Sequence, residues 1–179
     1  MDLGNPSIDP TAFVAPTAGI YGHVTVERGA VIMFGVVVRA ELATAVIGAE
    51  TNLQDNVVVH VDSGFPFHIG RRVTVGHASV VHGARVGDQA LIGVRAVVLN
   101  GSEVGEGAWL AAGSVLPPGR SIPPWTLAMG TPARPLRELT EAEIGRAARG
   151  VDTYLGYGAA YRRITAGWGG PRRDATASS

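Results

Sequence analysis

Aliphatic residues recur six apart along most of this chain: Ile20, Val26, Ile32 and Val38, then Ile47, Leu53 and Val59, then Ile69, Val75 and Val81. After one five-residue step the series resumes at Val86 and continues through Ile92, Val98, Val104, Leu110, Leu116 and Ile122. Glycine often follows the aliphatic, as in Ile47-Gly48, Ile69-Gly70, Val75-Gly76, Val86-Gly87, Ile92-Gly93 and Val104-Gly105. A helix repeats its apolar face about every 3.6 residues and a half-buried strand about every two, so a sustained period of six fits neither. It fits an all-β solenoid of hexapeptide repeats, in which each repeat is one short strand and a turn, and stacking buries the aliphatics as continuous columns.

Four segments follow. Residues 1–19, rich in proline and threonine, are expected to be a lead-in packed over the first coil. The β-helix is expected over 20–127, interrupted by excursions at 39–46 and 62–68 where the spacing stretches to nine and ten residues. Loops that leave a rigid scaffold commonly carry binding groups. Prolines 117, 118, 123, 124, 132 and 135 are expected to end strand pairing, with 128–139 as a connector. Thr140-Glu141-Ala142-Glu143 reads as a capping box, with Leu139 and Ile144 placed as a hydrophobic staple. A C-terminal α-helix is therefore expected over 140–165, its apolar stripe formed by Ile144, Ala147, Ala148, Val151 and Leu155. Gly145, Gly150, Gly156 and Gly158 each cost that helix roughly 1 kcal/mol against alanine, so it must lean on the solenoid. Residues 166–179 read as a disordered tail.

Composition narrows the chemistry. Fifteen basic residues, all arginine, balance fifteen acids, which leaves no electrostatic footprint for nucleic acid or an anionic membrane. The chain has no cysteine, so histidine and carboxylate are the available metal ligands. Met-Asp-Leu-Gly-Asn-Pro lacks the basic and apolar regions of a signal peptide, and no apolar run reaches membrane-spanning length, so the cytoplasm is the expected compartment.

The repeat also sets the histidines in register. Counting from Ile20 as zero, Val38, Val59 and Val81 are repeats three, six and nine, which places them on one face of a three-sided prism. The residue after each aliphatic points outward, so Arg39, His60 and His82 form a column at roughly 5 Å per coil. Two histidines at that spacing can share a metal. His77 is the third residue of its repeat and lies on a different face, where Asp55 holds the equivalent place one coil earlier, beside Gln54. A prism side spans on the order of 15 Å, against about 2.0 to 2.1 Å for a metal–imidazole bond. His77 can join His60 and His82 from a neighbouring subunit if three prisms pack about a threefold axis.

In these residues the chain resembles the gamma-class carbonic anhydrases and their hexapeptide-repeat relatives. The resemblance runs from about Ala18 to Glu143 and is carried by Arg39-Ala40-Glu41, Asn52-Leu53-Gln54-Asp55-Asn56, Val59-His60-Val61, Val75-Gly76-His77-Ala78-Ser79-Val80-Val81-His82-Gly83 and Met129-Gly130-Thr131-Pro132-Ala133-Arg134. It implies a left-handed parallel β-helix and a homotrimer that converts carbon dioxide reversibly to bicarbonate. One divalent ion would sit at each subunit interface, zinc foremost, with iron or cobalt as alternatives, held by His60, His82 and the neighbour's copy of residue His77. It further implies that Gln54 orients the metal-bound water or substrate, that Asn52 lines the substrate pocket, and that Arg39 pairs across the interface with Asp55. Two features depart from the family pattern. Ala40-Glu41 replaces Gly-Asp, which puts a longer carboxylate, Glu41, at a catalytic position. The excursion after His60 is short, and within it His68 is the candidate proton shuttle.

Blander assignments compete. His23 reads as an incidental surface group, Arg39 and Asp55 as an ion pair without chemical duty, and Tyr154, Tyr157 and Tyr161 as helix packing. Two other functions share the fold: a metal-binding scaffold without turnover, and an acyltransferase using acyl-coenzyme A and one histidine as general base.

Overall fold

The computed structural model describes residues 4–165, so the tail expected over 166–179 lies outside the described residues. The chain winds as a left-handed parallel β-helix whose strands stack in three columns. The first face comprises the leading halves of Gly19–Val26 and Val37–Ile47, then Val58–His60, Val80–His82, Val97–Val98 and Val115–Leu116. The second comprises Ser7–Ile8, the trailing halves of the same two long strands, then Phe67–Ile69, Arg85–Val86, Glu103–Val104 and Ser121–Ile122. The third runs from Phe13–Val14 through Val31–Ile32, Asn52–Leu53, Thr74–Val75, Leu91–Ile92 and Trp109–Leu110 to Thr126–Gly130.

The six-residue ladder is the core. Ile32, Val38, Ile47, Leu53, Ile69, Val75, Val81, Ile92, Val98 and Leu110 are fully buried, whereas Ile20, near the open end, is only partly covered. Most corners turn on a residue three places after the aliphatic, held at positive φ: glycine at Gly29, Gly35, Gly101, Gly107, Gly113 and Gly119, but Glu50, Asn56, Arg72, Ala78, Gln89, Arg95 and Trp125 elsewhere, while the five-residue step turns on Gly83. A side chain in that conformation costs on the order of 1 kcal/mol, and stacking on the coils above and below outweighs it. The glycine that follows the aliphatic has a different reason. A Cβ on Gly87 would lie 2.6 Å from the Glu106 backbone nitrogen, because the next coil already fills that space.

Three expectations need correction. Residues 39–46 are not a loop: Val37–Ile47 is one strand that passes from the first face to the second, with Ala40 and Ala45 buried at either side of the bend. Strand pairing begins before residue 20, since Ser7–Ile8 and Phe13–Val14 already pair in parallel with the following coil. Nor do the prolines end pairing. Pro117 and Pro123 take the place whose amide elsewhere donates to the next coil, as Leu99 does to Leu116 and Gly105 to Ile122, but their strands are the last of their columns and no next coil asks for it; Ser121–Ile122 and Thr126–Gly130 still pair with the coil before. Ala133–Glu138, carrying Pro135, folds back antiparallel on Thr126–Gly130 as an edge strand.

The helix Glu141–Thr165 opens on the capping box: the Thr140 amide donates to Glu143 Oε2 at 2.9 Å and the Glu143 amide donates to Thr140 Oγ1 at 3.3 Å. Arg137 grips the same carboxylate with both guanidinium nitrogens, at 2.9 and 2.8 Å, and holds Glu143 well below the usual carboxylate range. From there the helix runs back along the third face toward the first coil. Val151 is buried, Arg72 bridges Glu50 and Asp152, and Tyr161 packs against Phe13 and Phe34 with ring centroids 6.0 and 5.1 Å apart. Gly158 is required there, because a Cβ would lie 2.7 Å from Val31 Cγ2. Among the described residues no helix is long and apolar enough to cross a membrane.

The two kinds of glycine respond oppositely to alanine. Gly87→Ala is expected to destabilise by about 1 to 3 kcal/mol through overpacking. Gly156→Ala, where a Cβ meets nothing within 4 Å, is expected to stabilise by up to about 1 kcal/mol through helix propensity. Midpoints of chemical denaturation measure both, and a shared sign would contradict this assignment of roles.

Candidate functional site

The chain presents two separate polar clusters, one on each side of a prism edge. The first stands on the outward column of the first face, where Arg39, His60 and His82 are in direct cross-strand register. His60 Nδ1 lies 2.9 Å from His82 Nε2, with ring centroids 4.9 Å apart. His82 Nδ1 is 2.5 Å from Asn100 Oδ1, and an amide oxygen only accepts, so Nδ1 carries the proton and Nε2 presents its lone pair. The Asn100 amide nitrogen in turn donates to Asp62 Oδ2 at 3.3 Å. This is the usual way a protein fixes the orientation and tautomer of a ligating imidazole.

Glu41 stands beside the pair. Its Oε1 accepts from Arg39 at 2.5 Å, and its Oε2 lies 3.4 Å from His60 Nε2. Burial opposes ionisation of this carboxyl, but its own backbone amide, the Arg39 guanidinium and the neighbouring His60 together hold it below its ordinary value. Oε2 is the buried side-chain oxygen that makes no hydrogen bond among the described residues. The imidazole pair offers two nitrogen donors of the kind a borderline divalent ion takes, while the Glu41 oxygen lies toward the opposite nitrogen of His60. Two nitrogens bound tetrahedrally to one ion sit about 3.3 Å apart, so the rings need to part by only a few tenths of an ångström.

The second cluster lies around the corner. Asp55 and His77 stack one coil apart, and His77 Nδ1 donates to Asp55 Oδ2 at 3.0 Å, which leaves Nε2 with the lone pair. That nitrogen faces the Tyr154 hydroxyl at 3.2 Å, where Tyr154 reaches over from the C-terminal helix. Burial first, then the Asp55 charge and the neighbouring tyrosines, raise the Tyr154 pKa and keep it a donor. Gln54 and Asn52 belong to this side too. Asn52 is fixed by Thr74 Oγ1 at 2.9 Å, and Gln54 Nε2 reaches Asn52 Oδ1 at 3.4 Å. Gln54 forms part of the wall of a cavity of about 350 Å³ under the helix, with Thr74, Leu91, Trp109, Arg146 and Tyr154.

The structure thus brings His60, His82, Glu41 and Arg39 together, and separately His77, Asp55, Gln54 and Asn52. Among the described residues no three His, Cys, Asp or Glu side chains of one chain converge as a metal site. Within the chain Arg39 bonds Glu41 and Asp55 bonds His77, so neither meets the other. His68 is not a loop residue: it lies in the strand Phe67–Ile69, exposed on the second face between Val46 and Arg85, away from the histidine column. Sequence reading missed Asn100 and Asp62 and assigned Tyr154 to packing. Register alone sets Leu99 next to His82, so the Asn100 contact depends on a corner side chain turning back, and Tyr154 is separated from His77 by 77 residues.

No protein-family profile matches the chain. Individual proteins do. Gamma carbonic anhydrase 1 of Arabidopsis thaliana mitochondria is 38% identical over 155 residues, which cover 83% of this chain and 56% of that protein. The Methanocaldococcus jannaschii protein named "Probable carbonic anhydrase" is 47% identical over 131 residues, covering 73% of this chain and 82% of that one. The chain therefore spans little more than half the length of the plant relative but most of the archaeal one. Among solved structures, a Bacillus cereus protein provisionally described as an acetyltransferase superposes with a TM-score of 0.89 at 36% identity, covering 90% of this chain and 94% of that one.

If Asn100 sets the His82 tautomer, metal-free wild-type protein will show His82 protonated at Nδ1 in ¹⁵N-resolved imidazole spectra, and Asn100→Leu will give a mixture of tautomers. An unchanged His82 spectrum in the folded variant would assign the tautomer to another partner.

Proposed function

The chain belongs to the gamma-class carbonic anhydrase family, and from that premise we propose that it is a metal-dependent carbonic anhydrase working as a homotrimer. His60 and His82 of one subunit and His77 of the next would hold one divalent ion, zinc foremost, with iron or cobalt as alternatives. The observation that carries the reading is the division of the site. The histidine pair and His77 lie on different faces, yet His82 and His77 each have Nδ1 committed to an acceptor, which leaves on Nε2 the lone pair a metal would take from its present partners, His60 and Tyr154. One chain alone lacks a third ligand for the pair, and a cyclic trimer supplies it at every interface without leftover surfaces.

When bound, the ion supplies Lewis-acid activation of water at neutral pH. The protein's own share is positioning. The Gln54 amide, braced by Asn52 and Thr74, orients carbon dioxide or bicarbonate by hydrogen bonding, while Glu41, held by Arg39, keeps negative charge beside His60. Asp55 and Asn100 hold His77 and His82 in their ligating tautomers. With His68 on another face, the proton leaves to buffer and turnover is slow in dilute buffer.

The Bacillus cereus protein described as an acetyltransferase shares the solenoid. An acyltransferase using a single basic histidine gives no reason for a paired His60–His82 and an orphan Glu41 oxygen beside it. A scaffold without turnover differs from the enzyme only in rate.

A shared site predicts complementation. His77→Ala and His82→Ala subunits, each unable to form an intact site alone, should recover tight metal binding at about one quarter of sites when refolded together at random in trimers. Heterotrimers that bind no more metal than either parent would remove the shared-site model. Metal-loaded wild type should hold one ion per subunit and hydrate carbon dioxide faster as buffer concentration rises. Full metal content with no hydration in concentrated buffer would leave the scaffold.

A further inference from the structure

The cavity beneath the C-terminal helix is larger and more apolar than carbon dioxide requires. Its volume of about 350 Å³ corresponds to roughly ten water molecules, and carbon dioxide has three heavy atoms. Leu91, Trp109 and Ala147 supply apolar walls. Gly150 leaves the helix side open, since a Cβ there meets nothing within 4 Å.

Two polar groups stand unmatched at this cavity. Gln54 is only 7% exposed, yet its side chain makes a single long hydrogen bond in the chain, to Asn52 at 3.4 Å. A primary amide can make four, so hydrogen-bonding capacity remains at the cavity that Gln54 lines, open to water or to a ligand. Arg146 supplies the second group. Its guanidinium stands 5.8 Å from the Trp109 ring centroid, and among the described residues no carboxylate pairs with it. A free cation beside an apolar cavity lined by a hydrogen-bonding amide matches an anion that carries a hydrocarbon tail. Bicarbonate matches the charge but leaves the apolar walls wet.

We propose that this cavity is a subsite for short aliphatic monocarboxylates, whose headgroup is recognised by Arg146 and Gln54 and whose chain packs against Trp109 and Leu91. The consequence for turnover rests on the carbonic anhydrase reading, because a ligand that engages Gln54 competes with bicarbonate there. Binding itself does not rest on it: Gln54, Arg146 and Trp109 are not metal ligands, so the subsite exists with or without the ion.

Calorimetry and saturation-transfer NMR on the full chain in its native assembly, metal-free and metal-loaded, test this with hexanoate, acetate, bicarbonate and hexylamine as probes. Hexanoate should bind both forms at least tenfold more tightly than acetate, since each methylene fully buried contributes about fourfold. Hexylamine should not bind. Arg146→Ala should weaken hexanoate about tenfold, Arg146→Lys should restore part of it, and Gly150→Leu, which fills the cavity from a helical position, should abolish it with fold and metal content unchanged. Equal affinity for acetate and hexanoate, or no hexanoate binding to folded metal-free protein, overturns the proposal. So does binding that needs the metal and ignores both Arg146 and Gly150, which would be simple ligation of the ion by an anion. Hexanoate binding by a fully metallated protein that does not hydrate carbon dioxide would sink the enzymatic reading and leave this one standing.

Discussion

The interaction on which this molecule depends is the backbone hydrogen bond between one coil and the next. Repeated along each column, as from the Gln54 amide to the Val75 carbonyl and from the Val80 amide to the Ala96 carbonyl, it fixes the vertical spacing at about 5 Å and forbids slippage. Everything chemical inherits that spacing. His60 and His82 meet because Val59 and Val81 are paired, and Asp55 meets His77 because their coils are adjacent. No loop needs to fold correctly for either contact to form.

That dependence explains what was legible in the sequence. The aliphatic period reports the coil directly, so the core and the column containing Arg39, His60 and His82 could be read by counting. Counting failed where the chain turns without spending a turn. From Val38 to Ile47 the bend is made inside a strand, with Ala40 and Ala45 as its inward residues, and alanine is too small to announce itself as part of an aliphatic ladder. The prolines misled for the opposite reason, since Pro117 and Pro123 follow the last strands of their columns, where no further coil asks for an amide. Contacts made by side chains bending away from their own register, Asn100 to His82 and Tyr154 to His77, leave no periodic trace.

The polar groups of the two clusters differ in character as well as in face. On the first face, charge is concentrated and nearly self-contained, with Arg39, Glu41 and the two imidazoles in mutual contact and a single orphan oxygen. Around the corner the Asp55 carboxylate holds His77, and the remaining groups are held by the helix and by neutral partners, Asn52, Thr74 and Tyr154. One side therefore concentrates ionised groups around two imidazoles, and the other sets a single ion pair among neutral hydrogen-bonding groups.

The C-terminal helix has a consequence beyond covering that wall. Its 25 residues extend roughly 37 Å, enough to span the roughly 29 Å from the first to the last strand of the third face, and its ends are fixed at opposite extremes of the stack, by Arg137 at one and by the Phe13 and Phe34 rings at the other. The helix is a ruler. A solenoid can in principle gain or lose whole turns without disturbing its neighbours, but here a turn more or less would leave Tyr161 without its aromatic seat and carry Tyr154 past His77. The number of coils, which repetition alone leaves free, is set by the length of the one element that does not repeat.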